Sequence, residues 1–210
     1  MEIVKANIEE YVTHLPAEND PVLQKMEALA VKEDFPIVGP LVGRLCSQLV
    51  KMVNAKRIFE LGSGFGYSAY WMAKALPDGG NIICTEWSAE NIQRAKRFFQ
   101  ETSLENKVEF RQGDALEILE KHDGQFDIIF NDIHKELYPV SLEIIVPRLR
   151  PGGVLITDNL LWDGLVLTEN PDETTECILE YTKQIYASPE LYTTIIPFRD
   201  GVGVSLKRLC

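Results

Sequence analysis

Apolar residues in this 210-residue chain change their period part-way along. Over the first 55 residues they fall at helical spacing. Residues 3–15 form one weakly amphipathic segment that ends near Pro16. Asp20-Pro21 reads as an N-cap followed by proline in the first helical turn, and Val22, Met26, Leu29 and Ala30 make the stripe of a second helix ending near Asp34. Phe35-Pro36-Ile37-Val38-Gly39-Pro40 interrupts the pattern, which resumes over residues 41–53 as a third helix. Beyond this helical cap, short apolar runs alternate with helical stripes over residues 56–210. Runs at 58–61, 81–86, 107–111, 126–131 and 154–157 predict strands, and stripes at 67–76, 88–102, 115–121, 137–149 and 174–186 predict helices. Two last strand-like runs, 192–196 and 203–206, are separated by only a few residues around Asp200-Gly201, which suits an antiparallel hairpin. Strand and helix in strict alternation predict an α/β domain with a Rossmann-like, doubly wound sheet and no internal repeat.

The first strand leads into Glu60-Leu61-Gly62-Ser63-Gly64-Phe65-Gly66-Tyr67-Ser68. Such a glycine turn needs positive φ and lets a ligand approach the backbone closely. The dinucleotide fingerprint G-x-G-x-x-G places its third glycine where this chain has Tyr67. The spacing here is G-x-G-x-G, with Glu60 ahead of it, as in motif I of the S-adenosylmethionine (SAM) methyltransferases, where an acidic residue faces a cationic ligand without phosphate.

An open α/β sheet binds its ligand at the carboxyl ends of its strands. Strand two ends in Glu86, placed to accept hydrogen bonds from ribose hydroxyls in either a dinucleotide or a SAM site. Strand three ends in Gln112-Gly113-Asp114-Ala115, where Asp114 takes an adenine amino group, caps the following helix, or does both. Strand four ends in Asn131-Asp132-Ile133-His134-Lys135 and strand five in Thr157-Asp158-Asn159. Asp132, Asp158 and Asn159 form a hard, all-oxygen set suited to Mg²⁺, or to Ca²⁺ or Mn²⁺. Capping or solvated-loop carboxylates are the plainer reading, but two beside apolar strands and a lysine fit it poorly.

Together these stretches resemble the cation-dependent O-methyltransferases, the group that includes catechol and caffeoyl-CoA O-methyltransferases and small bacterial relatives. The resemblance runs from about Phe35 to the C-terminus. It rests on Phe59-Glu60-Leu61-Gly62-Ser63-Gly64-Phe65-Gly66-Tyr67-Ser68, on Phe130-Asn131-Asp132-Ile133-His134-Lys135-x-x-Tyr138, on Leu149-Arg150-Pro151-Gly152-Gly153, and on Thr157-Asp158-Asn159-Leu160-Leu161-Trp162. It implies a seven-stranded methyltransferase sheet with one antiparallel strand, and a SAM-dependent O-methyltransferase acting on a small hydroxylated aromatic, catechol-like acceptor. It also implies that Asp132, Asp158 and Asn159 hold the metal and that Lys135 is the catalytic lysine. Glu86 would take the ribose, and Gly62, Gly64 and Ser68 the methionine end, which Val38 and Gly39 would cover. Glu60, Gly113, Asp114, Ala115 and Asp132 complete the expected cofactor site, and a homodimer is the expected assembly. Many relatives carry a small residue and an aspartate in place of Ile133 and His134, and an apolar residue in place of Asn131; His134 is assigned no catalytic role.

Composition narrows the partners. The chain carries 32 acidic and 21 basic residues, net charge −11, which argues against a nucleic-acid partner except through a local basic patch, such as a hydroxylated tRNA base would need. No apolar run approaches the ~20 residues of a membrane span, and Met1-Glu2-Ile3-Val4-Lys5 lacks a signal-peptide core. Cys46, Cys84, Cys177 and Cys210 are far apart with no C-x-x-C, so zinc is disfavoured and reduced thiols in a cytoplasm are expected. A SAM- or NAD-binding module without catalysis is the competing class, but it would need none of Asp132, Lys135, Asp158 and Asn159.

Overall fold

A computed structural model describes residues 6–15 and 19–209. The helix start expected near Ile3, its end near Pro16 and the Cys210 thiol lie outside the described residues. The chain opens with helices α1 (Ala6–Thr13), α2 (Pro21–Glu33) and α3 (Gly39–Met52). There follow β1 (Arg57–Leu61), α4 (Tyr67–Ala75), β2 (Asn81–Glu86), α5 (Ala89–Gln100), β3 (Val108–Gln112) and α6 (Ala115–Glu120). The second half holds β4 (Phe126–Asn131), α7 (Tyr138–Arg148), β5 (Leu149–Thr157), α8 (Glu173–Ala187), β6 (Leu191–Ile196) and β7 (Val202–Lys207).

The local signals act as expected where capping chemistry is explicit. Asp20 Oδ1 accepts from Val22 N at 2.9 Å and Ser88 Oγ from Asn91 N at 3.2 Å; Asp172 Oδ1, a cap not read from the sequence, accepts from Thr175 N at 2.8 Å. Helix α3 starts two residues before the expected Leu41, because Gly39 (φ +75°) makes the turn and Pro40 sits in the first helical turn, where it needs no N–H partner. Arg150–Gly153 does turn, yet inside β5: Leu149 pairs with Phe126 and Val154 with Ile128, so the intervening residues bulge from the ladder.

The sheet order is β3-β2-β1-β4-β5-β7-β6. Strands β1 to β5 run parallel, and β7 runs antiparallel to both β5 and β6. Alternate side chains divide between two cores. Ile58, Ile82, Ile128 and Ile156 pack with Met26, Val42, Met72 and Phe99 from α2 to α5, so the N-terminal helices share a core with the sheet. Phe59, Leu61, Ile129 and Leu155 pack with Leu119, Ile145 and Ile178 from α6, α7 and α8. Strand order reverses between β1 and β4, which opens a crevice at their carboxyl ends. Among the described residues no helix is long and apolar enough to cross a membrane.

Candidate active site

The glycine turn lies in that crevice, and its glycines are required by geometry. Gly62 has φ +83°, and a Cβ there would come within 2.4 Å of the Asp132 carbonyl oxygen. Asp132 N in turn donates to Leu61 O at 2.9 Å, so the ends of β1 and β4 are locked edge to edge. Gly64 N donates to Glu86 Oε2 at 3.0 Å, and Ser63 N to Thr85 O at 2.9 Å, fixing the turn against β2. Gly66 (φ +86°) caps α4 and packs against Ala95, Phe99 and Phe110.

Glu60 is fully buried beneath this turn. Ser68 Oγ donates to its Oε1, while its Oε2 has no nitrogen or oxygen donor, only the weakly polar Cys84 thiol nearby. Burial pushes its carboxyl up to about 7, against the pull of Ser68 and Cys84 and with the help of the negative Asp132 and Glu86. Glu86, half-buried, also accepts from Ser88 N at 2.9 Å and Asn91 Nδ2 at 3.3 Å. Gly113 (φ +139°) donates to Glu86 O at 3.1 Å, joining the ends of β2 and β3. Asp114 Oδ1 caps α6 by accepting from Glu117 N at 2.8 Å, and the Ala115 methyl is buried in the core. Val38 is buried, and Gly39 lies against the guanidinium of Arg199, whose Nη2 donates to Ile37 O at 3.1 Å.

The ends of β4 and β5 carry the charged group. Lys135, in a 3-10 turn (Lys135–Leu137), is buried. Its Nζ donates to Asp132 Oδ1 at 2.7 Å, Tyr138 Oη at 3.0 Å and Ile133 O at 3.2 Å. Tyr138 Oη donates to Asp158 O at 3.0 Å, so one phenol ties the lysine to β5. Asp158 is 5% exposed, and its Oδ1 has no hydrogen-bond partner. Burial and the adjacent Asp132 push its carboxyl up to about 7, and Asp132 is likewise raised by burial despite Lys135. Asn159 (φ +60°) donates from Nδ2 to Asp200 Oδ2 at 3.1 Å.

Behind the ends of β4 and β5, Asn131 Nδ2 donates to Ser141 Oγ at 3.3 Å, and the Thr157 and Tyr181 hydroxyls lie 2.7 Å apart. The departure at Asn131 is thus met in part, by the Ser141 hydroxyl on α7, while its Oδ1 has no hydrogen-bond partner. His134 is exposed at the head of the 3-10 turn. Sequence reasoning quoted Tyr138 in a motif without a role and missed Asp200 and Arg199, which it treated only as part of a hairpin turn. No group of three or more His, Cys, Asp or Glu side chains suited to a metal occurs among the described residues. The expected set has only two such groups, its third member being an amide. Its donor chemistry fits a hard cation: two carboxylates pushed up by burial, Asp158 also by the adjacent Asp132, one with an orphan oxygen, beside an amide whose nitrogen is already engaged.

The sequence profile of the O-methyltransferase family matches residues 14–208. The chain belongs to that family. As an O-methyltransferase it is 34% identical over 174 residues to catechol O-methyltransferase of Niastella koreensis, covering 80% of this chain and 78% of that one. It is 30% identical over 203 residues to caffeoyl-CoA O-methyltransferase 2 of Petunia hybrida, covering 89% and 83%. The O-methyltransferase of Bacillus cereus, solved in complex with SAH, superposes with a TM-score of 0.87 at 27% identity, covering 96% of this chain and 97% of that one. The resemblance read from the motifs is therefore correct at the level of family and fold.

Proposed function

We propose that this O-methyltransferase transfers the methyl group of SAM to one hydroxyl of a small catechol-like acceptor, with a divalent cation at Asp132, Asp158 and Asn159. One observation carries the reading. Two buried carboxylate oxygens, Glu60 Oε2 on β1 and Asp158 Oδ1 at the end of β5, lack a nitrogen or oxygen donor on either side of β4. Such groups are costly unless a cation completes them. The ammonium and sulfonium of SAM suit the first, and a hard divalent cation suits the second.

Glu60 and Ser68 then face the methionine end, Val38 and Gly39 cover it, and Glu86 accepts from the ribose. Asp114 keeps its capping role and presents its remaining oxygen to the adenine side, between Gly113 and Ala115. Asp132 borders both ligands, since its backbone abuts the glycine turn and its carboxylate faces Lys135. The cation supplies Lewis acidity that lowers the pKa of an acceptor hydroxyl from the ~10 of a phenol. Lys135, as a neutral amine, takes that hydroxyl's proton at Nζ, and the ammonium so formed, held by Tyr138 Oη and Ile133 O, stabilises the oxyanion. Sulfonium and phenolate neutralise each other on transfer, so burial of the site favours the step.

Helices α1–α3 act as a cap on the same domain, and scattered cysteines with no C-x-x-C support a cytoplasmic location. Exposed Ile8 and Tyr11 on α1, with Leu165 and Leu167 after Trp162, make these the candidate contact surfaces of a homodimer. Light scattering at micromolar concentration should give twice the chain mass; a monomer overturns the assembly.

The functional test compares catechol with a monophenol, with and without EDTA, beside Asp158→Ala. Methylation of catechol alone, abolished by EDTA and in the variant while SAH still binds by calorimetry, is the expected outcome. Full activity in EDTA would leave a metal-free methyltransferase.

A further inference from the structure

The connection between β6 and β7, Phe198-Arg199-Asp200-Gly201, lies against the segment that follows Asp158. Leu160 N donates to Gly201 O and Leu161 N to Asp200 O, both at 2.9 Å. The Leu161 side chain packs so closely on the Gly201 backbone that a Cβ on Gly201 would fall 2.4 Å from Leu161 Cγ. Within the facing segment, Asn159 (φ +60°), Trp162 (φ +45°) and Asp163 (φ +49°) all hold left-handed conformations that non-glycine residues rarely adopt. A segment of this kind keeps its shape only when its surroundings over-determine it. The Asp200 carboxylate is the bridge: Oδ2 accepts from Asn159 Nδ2 at 3.1 Å, and Oδ1 accepts from Asp163 N.

We infer that Asp200 is a positioning residue that fixes the amide of Asn159 with its oxygen toward the cation site. The inference rests on the metal reading proposed above. An amide has one acceptor and two donors at opposite tips, and only the oxygen can ligate a cation. A carboxylate accepts and never donates when ionised, so an amide beside it must turn its nitrogen inward and its oxygen outward. Asp200 thereby selects one of two nearly isosteric amide orientations and holds the backbone that carries it. Its two oxygens accept from Asn159 and Asp163, so its part in this arrangement is to orient the amide.

Mn²⁺ binding to the metal-free protein, followed by paramagnetic resonance, tests this alongside SAH calorimetry and thermal melting. Asp200→Ala should weaken Mn²⁺ by roughly 10–100-fold, the usual effect of removing a partner that orients a ligand, with SAH affinity within about twofold of wild type. Asp200→Asn should fall between, since one carbonyl cannot serve Asn159 and Asp163 together. In an Asn159→Asp background both ligand oxygens are equivalent, so adding Asp200→Ala should no longer weaken Mn²⁺. Unchanged Mn²⁺ affinity in Asp200→Ala overturns the inference. So does parallel loss of Mn²⁺ binding, SAH binding and melting temperature, which means a purely structural role. A wild-type protein that binds SAH but no Mn²⁺ overturns the metal reading itself.

Discussion

Glu60→Gln should reverse a pH-dependent loss of stability. Glu60 is fully buried, and its carboxyl is pushed from the ordinary 4.5 to about 7, chiefly by burial. The native state therefore binds this proton more tightly than the unfolded chain does. Stability is unaffected by Glu60 below about pH 4.5, falls as pH rises through the interval up to about 7, and stays lowered above it. At about 1.4 kcal/mol per tenfold difference in proton affinity, the ionised group costs roughly 3 kcal/mol, of which about 2–3 kcal/mol develops between pH 5 and pH 8.

Glutamine keeps the shape and the acceptor for Ser68 but has no charge to desolvate. Its amide nitrogen would occupy the place of the orphan Oε2, adding a pH-independent penalty of about 1–3 kcal/mol. The baseline between the two proteins is thus not diagnostic, whereas its change with pH is. Urea denaturation in EDTA without cofactor, at pH 5 and pH 8, should show the variant gaining about 2–3 kcal/mol on wild type as pH rises. In melting temperature that is roughly 5–10 °C. Asp158, also raised to about 7, titrates in both proteins and largely cancels in the difference. A stability difference that does not move between the two pH values would mean that Glu60 ionises like an exposed glutamate, and the electrostatic account of the cofactor crevice would fail.

Tyr138→Phe removes a fully buried hydroxyl that donates to Asp158 O and accepts from Lys135 Nζ. Chemical denaturation should show a loss of about 1–3 kcal/mol, and no loss would remove the phenol from the network. Lys135→Ala should lower kcat far more than it raises KM, with SAH affinity retained, and Lys135→Arg should not rescue because guanidinium does not give up its proton. A variant that retains wild-type kcat would exclude Lys135 from the proton transfer.

Periodicity made the strands and most helices legible because it encodes which side of an element is buried. Ile58, Ile82, Ile128 and Ile156 face one core, and Phe59, Ile129 and Leu155 the other. Capping signals were equally readable at Asp20, Ser88 and Asp114, since each acts on an amide two or three residues away. What stayed hidden was contact at long range. Nothing in Gly62 alone says that a β-carbon there would strike the carbonyl of Asp132. The Asp200 carboxylate lies 41 positions from the amide that it orients, in a turn whose own sequence explains itself as a hairpin.

The candidate site divides along the same line. Glycine spacing and acidic strand ends located the crevice because topology sends those positions there whatever their neighbours are. Partner choice is different, as Asn131 illustrates. From sequence it is a polar residue where relatives have an apolar one, which reads as a local anomaly. In the fold its amide meets Ser141 from α7, while Thr157, the equivalent position on β5, meets Tyr181 from α8. Both residues immediately precede a candidate metal ligand, Asp132 and Asp158. A buried amide is costly alone, and here its nitrogen is matched by Ser141 while its Oδ1 has no hydrogen-bond partner. How far the core accommodates it is thus a property of α7 as much as of β4. Polar matching of this kind also restricts how the strand ends can shift, because sliding β4 by one residue would exchange Asn131 for Phe130 against Ser141.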